Sequence, residues 1–402
     1  MSADTVPAAG VETILAGLNP GQLDAVTHGD GPLLIVAGAG TGKTQVVTRR
    51  IAWLIATKRA RPEEILALTF TDKAAAEMEA RVDLLVPYGY VGATISTFHA
   101  FCDRLVREHA VELGLTSQLR VESPAEILVF LRERLFELGL RRFLPLGNPD
   151  EHLRALVACF DRARDEDVSP EDYAAFARRL AEEAGDDPAR RDRAEAEEEK
   201  ARAYAAYQKL LLESGRVDFG SQISLALRLL RERAYRLREL QERFRYVLVD
   251  EFQDTNHVQF ELVKLLAGAR HNLTVVGDDD QSIYRFRGAK VENLLGFLEA
   301  FPGARVLVVR ENYRSGQGIL DAAHRLIQGN NPARLEARGY DKRLLARRQV
   351  EAVVEYRAFA TASDEADFVA SAIAAAVGSG ERRAQDFAVL ARAHASLDPF
   401  AL

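Results

Sequence analysis

A glycine-rich stretch that follows a short apolar run has the composition of a phosphate-binding loop. Residues 33–36 read LLIV, and residues 37–44 read AGAGTGKT. Glycines let backbone N–H groups close around phosphate oxygens, and the N-terminus of a following helix adds partial positive charge. The Lys43 ammonium can reach terminal phosphates, and the Thr44 hydroxyl can ligate Mg²⁺. The sequence therefore predicts a site for a magnesium-bound nucleoside triphosphate, formed by Ala37, Gly38, Ala39, Gly40, Thr41, Gly42, Lys43 and Thr44.

Two adjacent acids follow another apolar run. Residues 246–249 read YVLV and lead directly into Asp250 and Glu251. In open parallel sheets, ligands bind at the carboxyl ends of strands. One acid at such an end can hold Mg²⁺, and the other can accept a proton from an attacking water. An acidic pair is also a common helix cap, and it is the phosphate loop in the same chain that favours a hydrolytic site.

A third cluster, residues 277–288, reads GDDDQSIYRFRG. The neutral amide of Gln281 suits contact with a γ-phosphate or its attacking water. Tyr284 and Phe286 alternate with arginines, including Arg287, and this mixture suits single-stranded nucleic acid. Stacking a base on such a ring is worth ~1–3 kcal/mol without sequence readout. Taken alone, alternating aromatic residues are more often part of a core.

The elements that must position these groups alternate between strand-like and helix-like stretches. The apolar runs lie at residues 33–36, 65–68, 93–96, 246–249 and 273–276. Alternation of this kind predicts a parallel sheet with crossover helices. Between residues 104 and 214, strand-like runs disappear and Leu, Ala, Arg and Glu dominate, which predicts a helical insertion.

Composition narrows the class of protein. Of the 402 residues, 48% are hydrophobic and 28% are charged, which is ordinary for a soluble globular protein. The start lacks the pattern of a secretory signal, no long apolar run predicts a membrane span, and Cys102 and Cys159 are not spaced for zinc, so we expect a cytoplasmic protein. The net charge of −7 argues mildly against nucleic-acid binding, although a local basic groove can lie on an acidic protein.

Seven stretches in the same order resemble the UvrD/Rep/PcrA group of superfamily 1 DNA helicases. Residues 18–22 resemble the adenine-recognising Q motif, and residues 69–75 and 96–102 resemble two DNA-contacting motifs. The matches to motifs I to IV lie at residues 37–44, 250–256, 278–288 and 311–315. The resemblance implies an α/β fold: a P-loop RecA-like parallel sheet domain with a helical insertion, plus an incomplete second RecA-like domain.

The resemblance also implies roles for single residues. The implied catalytic residues are Lys43, Asp250, Glu251, Gln281 and Arg314. Thr44 and Asp250 would hold Mg²⁺, Tyr313 would stack on the adenine of ATP, and Gln22 would read the adenine edge. The implied DNA-contacting residues are Phe70, Lys73, Thr97, Phe98, His99, Tyr284, Phe286 and Arg287.

The expected division of the chain follows the family. Residues 1–103 and 215–300 would form the first RecA-like domain, residues 104–214 the inserted subdomain, and residues 301–402 the second RecA-like domain. Apolar runs at 305–309, 353–356 and 387–390, with a helix at 364–377, predict the first strands of that second domain. Nothing resembles motifs V and VI, so we expect this chain alone to bind nucleotide, to hydrolyse it poorly and not to unwind duplex DNA.

The resemblance thus implies an ATP-dependent DNA helicase of 3′-to-5′ direction that acts in DNA repair on single-stranded DNA, or on DNA with a single-stranded tail. Two other interpretations stay open. One is a non-catalytic short form that binds DNA or a partner protein. The other is the N-terminal part of a helicase–nuclease subunit of the AddA/RecB type, which shares these motifs.

Overall fold

The protein is described from a computed structural model, which describes residues 8–86, 92–116, 118–144, 147–148, 151–284, 291–332 and 334–400. The contacts divide the chain into two compact units, Met1–Val350 and Glu351–Leu402. In chain order, the strands are β1 (Leu33–Ala37), β2 (Ile65–Thr69), β3 (Thr94–Thr97), β4 (Arg120–Val121), β5 (Arg216–Val217), β6 (Tyr246–Val249), β7 (Leu273–Gly277), β8 (Arg305–Val309), β9 (Glu311–Asn312) and β10 (Leu345–Ala346).

Helices make up most of the remaining chain. In chain order, they are α1 (Ala8–Leu15), α2 (Pro20–Val26), α3 (Lys43–Ala56), α4 (Asp72–Leu85), α5 (Phe98–Glu108), α6 (Pro124–Glu133), α7 (Leu153–Asp165), α8 (Pro170–Glu183), α9 (Pro188–Glu213), α10 (Phe219–Glu232), α11 (Ala234–Arg243), α12 (His257–Ala267), α13 (Val291–Ala300), α14 (Gln317–Ile327) and α15 (Ala362–Gly378).

A six-stranded sheet lies at the centre of the first unit, in the order β3-β2-β6-β7-β1-β8. All five neighbouring pairs are parallel. Every residue of β1, β2, β6 and β7 is buried, as parallel strands covered on both faces should be. The predicted RecA-like α/β sheet is confirmed, and five predicted apolar runs coincide with β1, β2, β3, β6 and β7.

Side chains of each central strand alternate between two hydrophobic cores. In β1, Leu34 and Val36 face a core built with α5, α10 and α12. Leu33 and Ile35 face the opposite core, built with α2, α3 and α4. Because the strands all run in one direction, the loops after β1, β2, β3, β6 and β7 leave the sheet at a single edge. Those loops contain most of the stretches that resemble helicase motifs.

Polar residues at this edge begin the helices that return behind the sheet. Thr71 accepts a hydrogen bond from the backbone N–H of Ala74 at the start of α4. Asn256 accepts one from the N–H of Gln259 at the start of α12. A side-chain acceptor of this kind satisfies one of the free donors in a helix's first turn and is worth ~1 kcal/mol.

The predicted helical insertion forms a separate layer within the first unit. Residues of α6, α7 and α9 share a third core, in which the rings of Phe160 and Tyr204 stack at 5.1 Å. β4 and β5 pair in parallel, and their residues Val121 and Val217 pack with the core of the sheet rather than with this third core. The preceding helix α5 packs in the sheet's own core, and the boundary of the inserted subdomain at residue 104 stays a prediction.

One strand lies elsewhere than the sequence predicted. Residues 305–309 were expected to open a second sheet, but β8 pairs along its whole length with β1 and forms an edge of the first sheet. Hydropathy shows that a segment is strand-like but does not show which sheet it joins. The expectation that β8 opens a second sheet is therefore wrong, and the division of the chain into domains at residue 301 stays a prediction.

The second unit, Glu351–Leu402, contains α15, which confirms the helix expected at 364–377. Phe359 packs on Phe368 of that helix, with ring centroids 5.3 Å apart. Residues 353–356 and 387–390 were expected to be strands, and the structure shows neither as one. A strand requires a hydrogen-bonded neighbour, and within the described residues neither segment has one.

Across the described parts of both units, no helix combines the length and the apolar character that crossing a bilayer requires.

Candidate active site

The loop between β1 and α3 turns through two glycines in the left-handed region, Gly40 (φ +75°) and Gly42 (φ +86°). A Cβ atom on Gly40 would lie 2.7 Å from the Cβ of Arg314, and one on Gly42 would lie 2.9 Å from Nε2 of Gln22. Both conformation and space therefore require glycine. The N–H and the hydroxyl of Thr41 both donate to the carbonyl of Gly38 and close the loop, and α3 begins directly after it at Lys43.

Gln22 holds this loop from one side. Its Nε2 donates to the carbonyl of Thr41 at 2.8 Å, and its Oε1 accepts from the N–H of Asn19 at 3.2 Å. The side chain is 1% exposed. Both ends of the amide are thus bonded inside the protein, so a contact with adenine would require one of these bonds to exchange.

The stretch after β8 holds the loop from the other side. Asn312 donates from Nδ2 to the carbonyl of Ala39 at 2.6 Å, and the N–H of Tyr313 donates to the carbonyl of Gly40 at 2.9 Å. The Tyr313 hydroxyl accepts from Nδ2 of Asn19 at 3.0 Å. These bonds place Arg314 against the loop.

Lys43 brings the loop and the acidic segment together. Its Nζ lies 2.5 Å from Oε2 of Glu251 and 3.4 Å from Oε1 of Gln281. Glu251 has φ +49°, a left-handed conformation that is uncommon for a residue other than glycine. Strained backbone of this kind persists where the surroundings enforce it, often at functional sites.

Asp250 is the buried member of the acidic pair, with 3% exposure. Burial, followed by the neighbouring charge of Glu251, raises the pKa of Asp250 to about 6. The Asp250 carboxylate accepts a hydrogen bond from the N–H of Glu251 at 3.0 Å, and the Thr44 side chain also hydrogen-bonds to this carboxylate. A carboxylate beside a hydroxyl is the hard-oxygen donor set that Mg²⁺ prefers, so Thr44 and Asp250 fit the predicted ion.

Gln253 joins the acidic segment to the loop after β7. Its Nε2 donates to Oε2 of Glu251 at 2.8 Å, and its Oε1 accepts from the N–H of Asp278 at 3.0 Å. Oδ2 of Asp278 in turn accepts from Nε2 of Gln281 at 2.7 Å. A continuous hydrogen-bonded chain therefore runs from Glu251 to Gln281.

A cavity of about 650 Å³ opens beside these groups. The predicted residues that line it are Gly38, Ala39, Gly40, Gly42, Lys43, Thr44, Glu251, Gln281 and Arg314. Arg49 and Arg81 line it as well and add two cations that the sequence did not indicate. Its volume lies in the range of small-molecule sites, and its lining is rich in donors and cations, as an anionic ligand requires.

A second cavity, of about 390 Å³, lies between the sheet edge and the helical layer. Three predicted DNA-contacting residues line it: Phe70, His99 and Tyr284. His99 also meets Phe219 edge-on, with ring centroids 5.9 Å apart. This cavity, together with those aromatic residues, is called the aromatic groove below.

The remaining predicted DNA contacts are not gathered there. Phe98 is 1% exposed and packs under Phe70, with ring centroids 5.8 Å apart. Thr97 is 6% exposed and caps α5 by accepting from the N–H of Ala100. Both side chains are thus buried in this structure, and the expectation that Phe98 and Thr97 contact DNA stays a prediction. Lys73 is exposed on α4 outside the groove lining, and Phe286 and Arg287 lie outside the described residues.

Two models of known protein families match the segments that form this site. The family model for the UvrD/REP helicase N-terminal domain matches residues 18–302, and the model for the UvrD-like helicase C-terminal domain matches residues 307–401. The chain belongs to the UvrD/Rep helicase family. Both cavities, and every glycine, acid and amide of the loop region, lie within these two matches.

Relatives of this UvrD/Rep family member have helicase names. The chain is 36% identical over 384 residues to the ATP-dependent DNA helicase PcrA of Bacillus subtilis, covering 95% of this chain and 48% of that protein. It is 37% identical over 324 residues to DNA helicase II of Escherichia coli, covering 80% and 42%. It is 38% identical over 407 residues to the ATP-dependent DNA helicase UvrD1 of Mycobacterium leprae, covering 97% and 49%. The chain thus spans about half the length of these relatives.

Several residues at the site were not singled out from the sequence. Gln253 and Asn312 lie within stretches quoted as motifs, but their bonds to Asp278 and Ala39 depend on contacts between distant segments. Their amide side chains were the available signal, because a buried amide must find both a donor and an acceptor. Arg49 of α3 and Arg81 of α4 gave no signal beyond their charge.

Proposed function

We propose that this family member is an ATP-dependent DNA helicase or translocase that couples ATP hydrolysis to movement on single-stranded DNA. One observation carries the proposal. Lys43, Glu251, Gln281 and Arg314 come from four separate segments and line one cavity beside a closed glycine loop. The proposal includes a role in DNA repair and movement along DNA in the 3′-to-5′ direction, both of which the family resemblance implies.

The chain's own residues would divide the work of hydrolysis. Lys43 would exchange its bond with Glu251 for bonds to the terminal phosphates of ATP. Glu251, once released, would accept a proton from the attacking water. Mg²⁺ held by Thr44 and Asp250 would neutralise phosphate charge. Gln281 would orient the water or the γ-phosphate.

Arg314 would counter the charge that develops on the transferring phosphoryl group. Arginines in this role contribute ~10³–10⁵ in rate in other nucleotide hydrolases. The stretch 311–314 would also carry the adenine contact, because Tyr313 is 45% exposed and hydrogen-bonded to Asn19. Gln22, beside Asn19, would read the adenine edge after its amide exchanges partners.

Single-stranded DNA would lie across the aromatic groove. Tyr284 and Phe70 offer ring faces on which bases can stack whatever their sequence. The groove is also lined by the carboxyl groups of Asp161, Asp165 and Asp254, so it suits bases rather than phosphates. Lys73, which lies outside the groove lining, would add a DNA contact, and Phe286 and Arg287 are proposed to contact DNA as well.

ATP hydrolysis in the nucleotide site would be coupled to DNA in the aromatic groove because both sites lie at the same edge of the sheet. The loops after β6 and β7 carry nucleotide-site residues, and Asp254 and Tyr284 on the same two loops line the groove. A nucleotide can shift the protein between states only by its differential affinity for them. In this proposal, the first RecA-like domain extends through β8, and the later segments belong to the second. The 402-residue chain alone would bind nucleotide, hydrolyse it slowly and not unwind duplex DNA.

The test is ATP turnover with and without single-stranded DNA, on the chain and on a longer form of the protein that includes it. Lys43→Ala should remove turnover in both forms. Lys209→Ala is the matched control, since this side chain is 72% exposed on α9. DNA binding without any nucleotide turnover in either form would instead support a non-catalytic binding protein.

A further inference from the structure

Lys342 places a buried ammonium among three consecutive carboxylates. Its Nζ lies 2.7 Å from Oδ1 of Asp278 and 2.8 Å from Oδ2 of Asp280, and it also bonds to Asp279. The Lys342 side chain is 5% exposed, and that of Asp279 is 0% exposed. An ion pair taken so far out of water persists only when its partners are well placed.

A second cation completes the arrangement. Arg334 donates from Nε and Nη2 to the two oxygens of Asp280, at 2.6 and 2.8 Å. The N–H of Leu335 donates to Oδ2 of Asp279 at 2.8 Å. The segment that contains Arg334 and Lys342 thus encloses the loop after β7. We call Asp278, Asp279, Asp280, Arg334 and Lys342 the ionic cluster.

The acids of the ionic cluster depend on these cations. Their nearest oxygens lie within 4.8 Å of one another, and like charges at such distances repel strongly where water is excluded. Burial alone would lower the pKa of Lys342, but Asp278, Asp279 and Asp280 outweigh it, and the net effect raises that pKa. Lys342 therefore remains charged and offsets the repulsion.

The cluster is joined to the nucleotide site through one carboxylate. Oδ1 of Asp278 binds Lys342, and Oδ2 accepts from Nε2 of Gln281 at 2.7 Å. With its nitrogen held in this way, Gln281 turns its carbonyl oxygen towards Nζ of Lys43 at 3.4 Å. If the Asp278 carboxylate rotated, Nε2 of Gln281 would lose Oδ2 of Asp278 as its acceptor.

We propose that Lys342 is a positioning residue for Gln281: by fixing the Asp278 carboxylate, it sets which end of the Gln281 amide faces the nucleotide. The proposal rests on the function proposed above for the site beside Lys43. Lys342 does not touch the nucleotide cavity, whose lining omits it. The bonds described above offer a route from Lys342 to that cavity through Asp278 and Gln281.

The first test compares Lys342→Met with the matched control Lys209→Met. For Lys342→Met, we expect an ATP turnover about 10-fold lower, by analogy with the loss of a residue that orients a metal ligand. Affinity for a non-hydrolysable ATP analogue should stay close to that of the wild type, because the loop residues and Lys43 are untouched. A loss of affinity equal to the loss of turnover would indicate general damage and overturn the proposal.

A double-mutant cycle gives the sharper result. In a Gln281→Ala background, Lys342→Met should have little further effect on turnover, because the group through which it acts is gone. An equal fold-loss in both backgrounds would mean that Lys342 acts by another route, and the proposal would be wrong.

Hydrogen exchange separates this proposal from the function on which it rests. Lys342→Met should speed amide exchange in residues 278–284 and leave β6 unchanged, whether or not the protein hydrolyses ATP. If Lys342→Met fails to fold, the pair Asp279→Asn/Lys342→Met removes one buried acid together with the cation and carries the same expectation. Absence of ATP turnover in the wild type would defeat the proposed function alone, and unchanged exchange would defeat the positioning role alone.

Discussion

The ammonium of Lys43 lies 2.5 Å from Oε2 of Glu251, which joins the first residue of α3 to the segment that follows β6. The same carboxylate oxygen accepts from Nε2 of Gln253 at 2.8 Å. That oxygen therefore already accepts two hydrogen bonds, which leaves it little capacity to accept one from an attacking water. Nucleotide binding would draw Lys43 towards phosphate and leave Glu251 freer to act on water.

Glu251→Gln should separate nucleotide binding from hydrolysis. The amide can still accept from Lys43 and Gln253, but it cannot take a proton, so turnover should fall by about 10²–10⁴-fold. Affinity for ATP should hold or rise, since the site loses one negative charge. The measurement is steady-state turnover beside equilibrium binding, and turnover close to that of the wild type would remove Glu251 from the role of base.

Gly40→Ala should disable the nucleotide loop. The new Cβ would lie 2.7 Å from both the Arg314 Cβ and Nδ2 of Asn312, at a φ of +75°. The left-handed conformation alone costs about 1–2 kcal/mol for a residue with a Cβ, and either the loop or Asn312 must also move. We expect weaker nucleotide binding and a lower melting temperature.

Gly296→Ala is the matched control for that substitution. Gly296 lies inside α13, and a Cβ there would meet nothing within 4 Å. Alanine in a helix interior should stabilise the fold by roughly 0.5–1 kcal/mol. Equal losses of nucleotide affinity in the two variants would show that the close approach at Gly40 is not what matters.

Asp165→Asn should stabilise the protein only at higher pH. Burial, with a smaller contribution from Asp161, raises the pKa of Asp165 to about 6, although Asn256 donates a hydrogen bond to it. The folded state thus holds this proton more tightly than the unfolded state. The charged carboxylate therefore costs stability above about pH 6, and that cost fades as the pH falls towards the unfolded value near 4.

Thermal unfolding at two pH values tests this sign. Asparagine keeps an acceptor for Asn256, so at pH 8 we expect a gain of roughly 1 kcal/mol, which is small because Asp165 is only partly buried. At about pH 4.5 the gain should be much smaller. Asp186→Asn, at a fully exposed position, should show no such dependence, and a gain for Asp165→Asn that is equal at both pH values would contradict the account.

Tyr284→Ala should weaken binding of single-stranded DNA. Loss of one stacking ring costs ~1–3 kcal/mol, which corresponds to roughly 5- to 150-fold in affinity. Tyr235→Ala is the control, because Tyr235 is 47% exposed against 40% for Tyr284 and lies outside the aromatic groove. Fluorescence anisotropy with a labelled oligonucleotide at fixed salt measures both, and an equal loss for Tyr235→Ala would remove the groove from the DNA path.

The local sequence was sufficient to predict a structural feature wherever one continuous segment forms that feature. The loop at residues 37–44 and the acids after β6 could be predicted because strand, glycine and helix follow one another directly. It was not sufficient where the partner is remote. Phe98 lies in a stretch similar to a DNA-contacting motif. Its side chain is nevertheless only 1% exposed, because it is buried and packs against the ring of Phe70.

The ionic cluster is a second case in which the local sequence did not reveal the partners of a group of residues. Asp278, Asp279 and Asp280 are conspicuous in the sequence, but Lys342 and Arg334, which neutralise them, follow more than fifty residues later in an unremarkable stretch. β8 was likewise recognisable as a strand, while its neighbour β1 lies about 270 residues earlier in the chain. Pairing over such distances is decided by packing, which local pattern does not encode.

The central claim is that a magnesium-bound triphosphate occupies the cavity beside Lys43 and faces Glu251. Equilibrium binding of a fluorescent, non-hydrolysable ATP analogue with Mg²⁺, to the wild type, Lys43→Ala and Lys209→Ala, tests it most directly. We expect saturable binding that Lys43→Ala weakens by about tenfold or more, given the ~1.4 kcal/mol that each factor of ten represents, and that Lys209→Ala leaves unchanged. Equal affinity in all three proteins would contradict it.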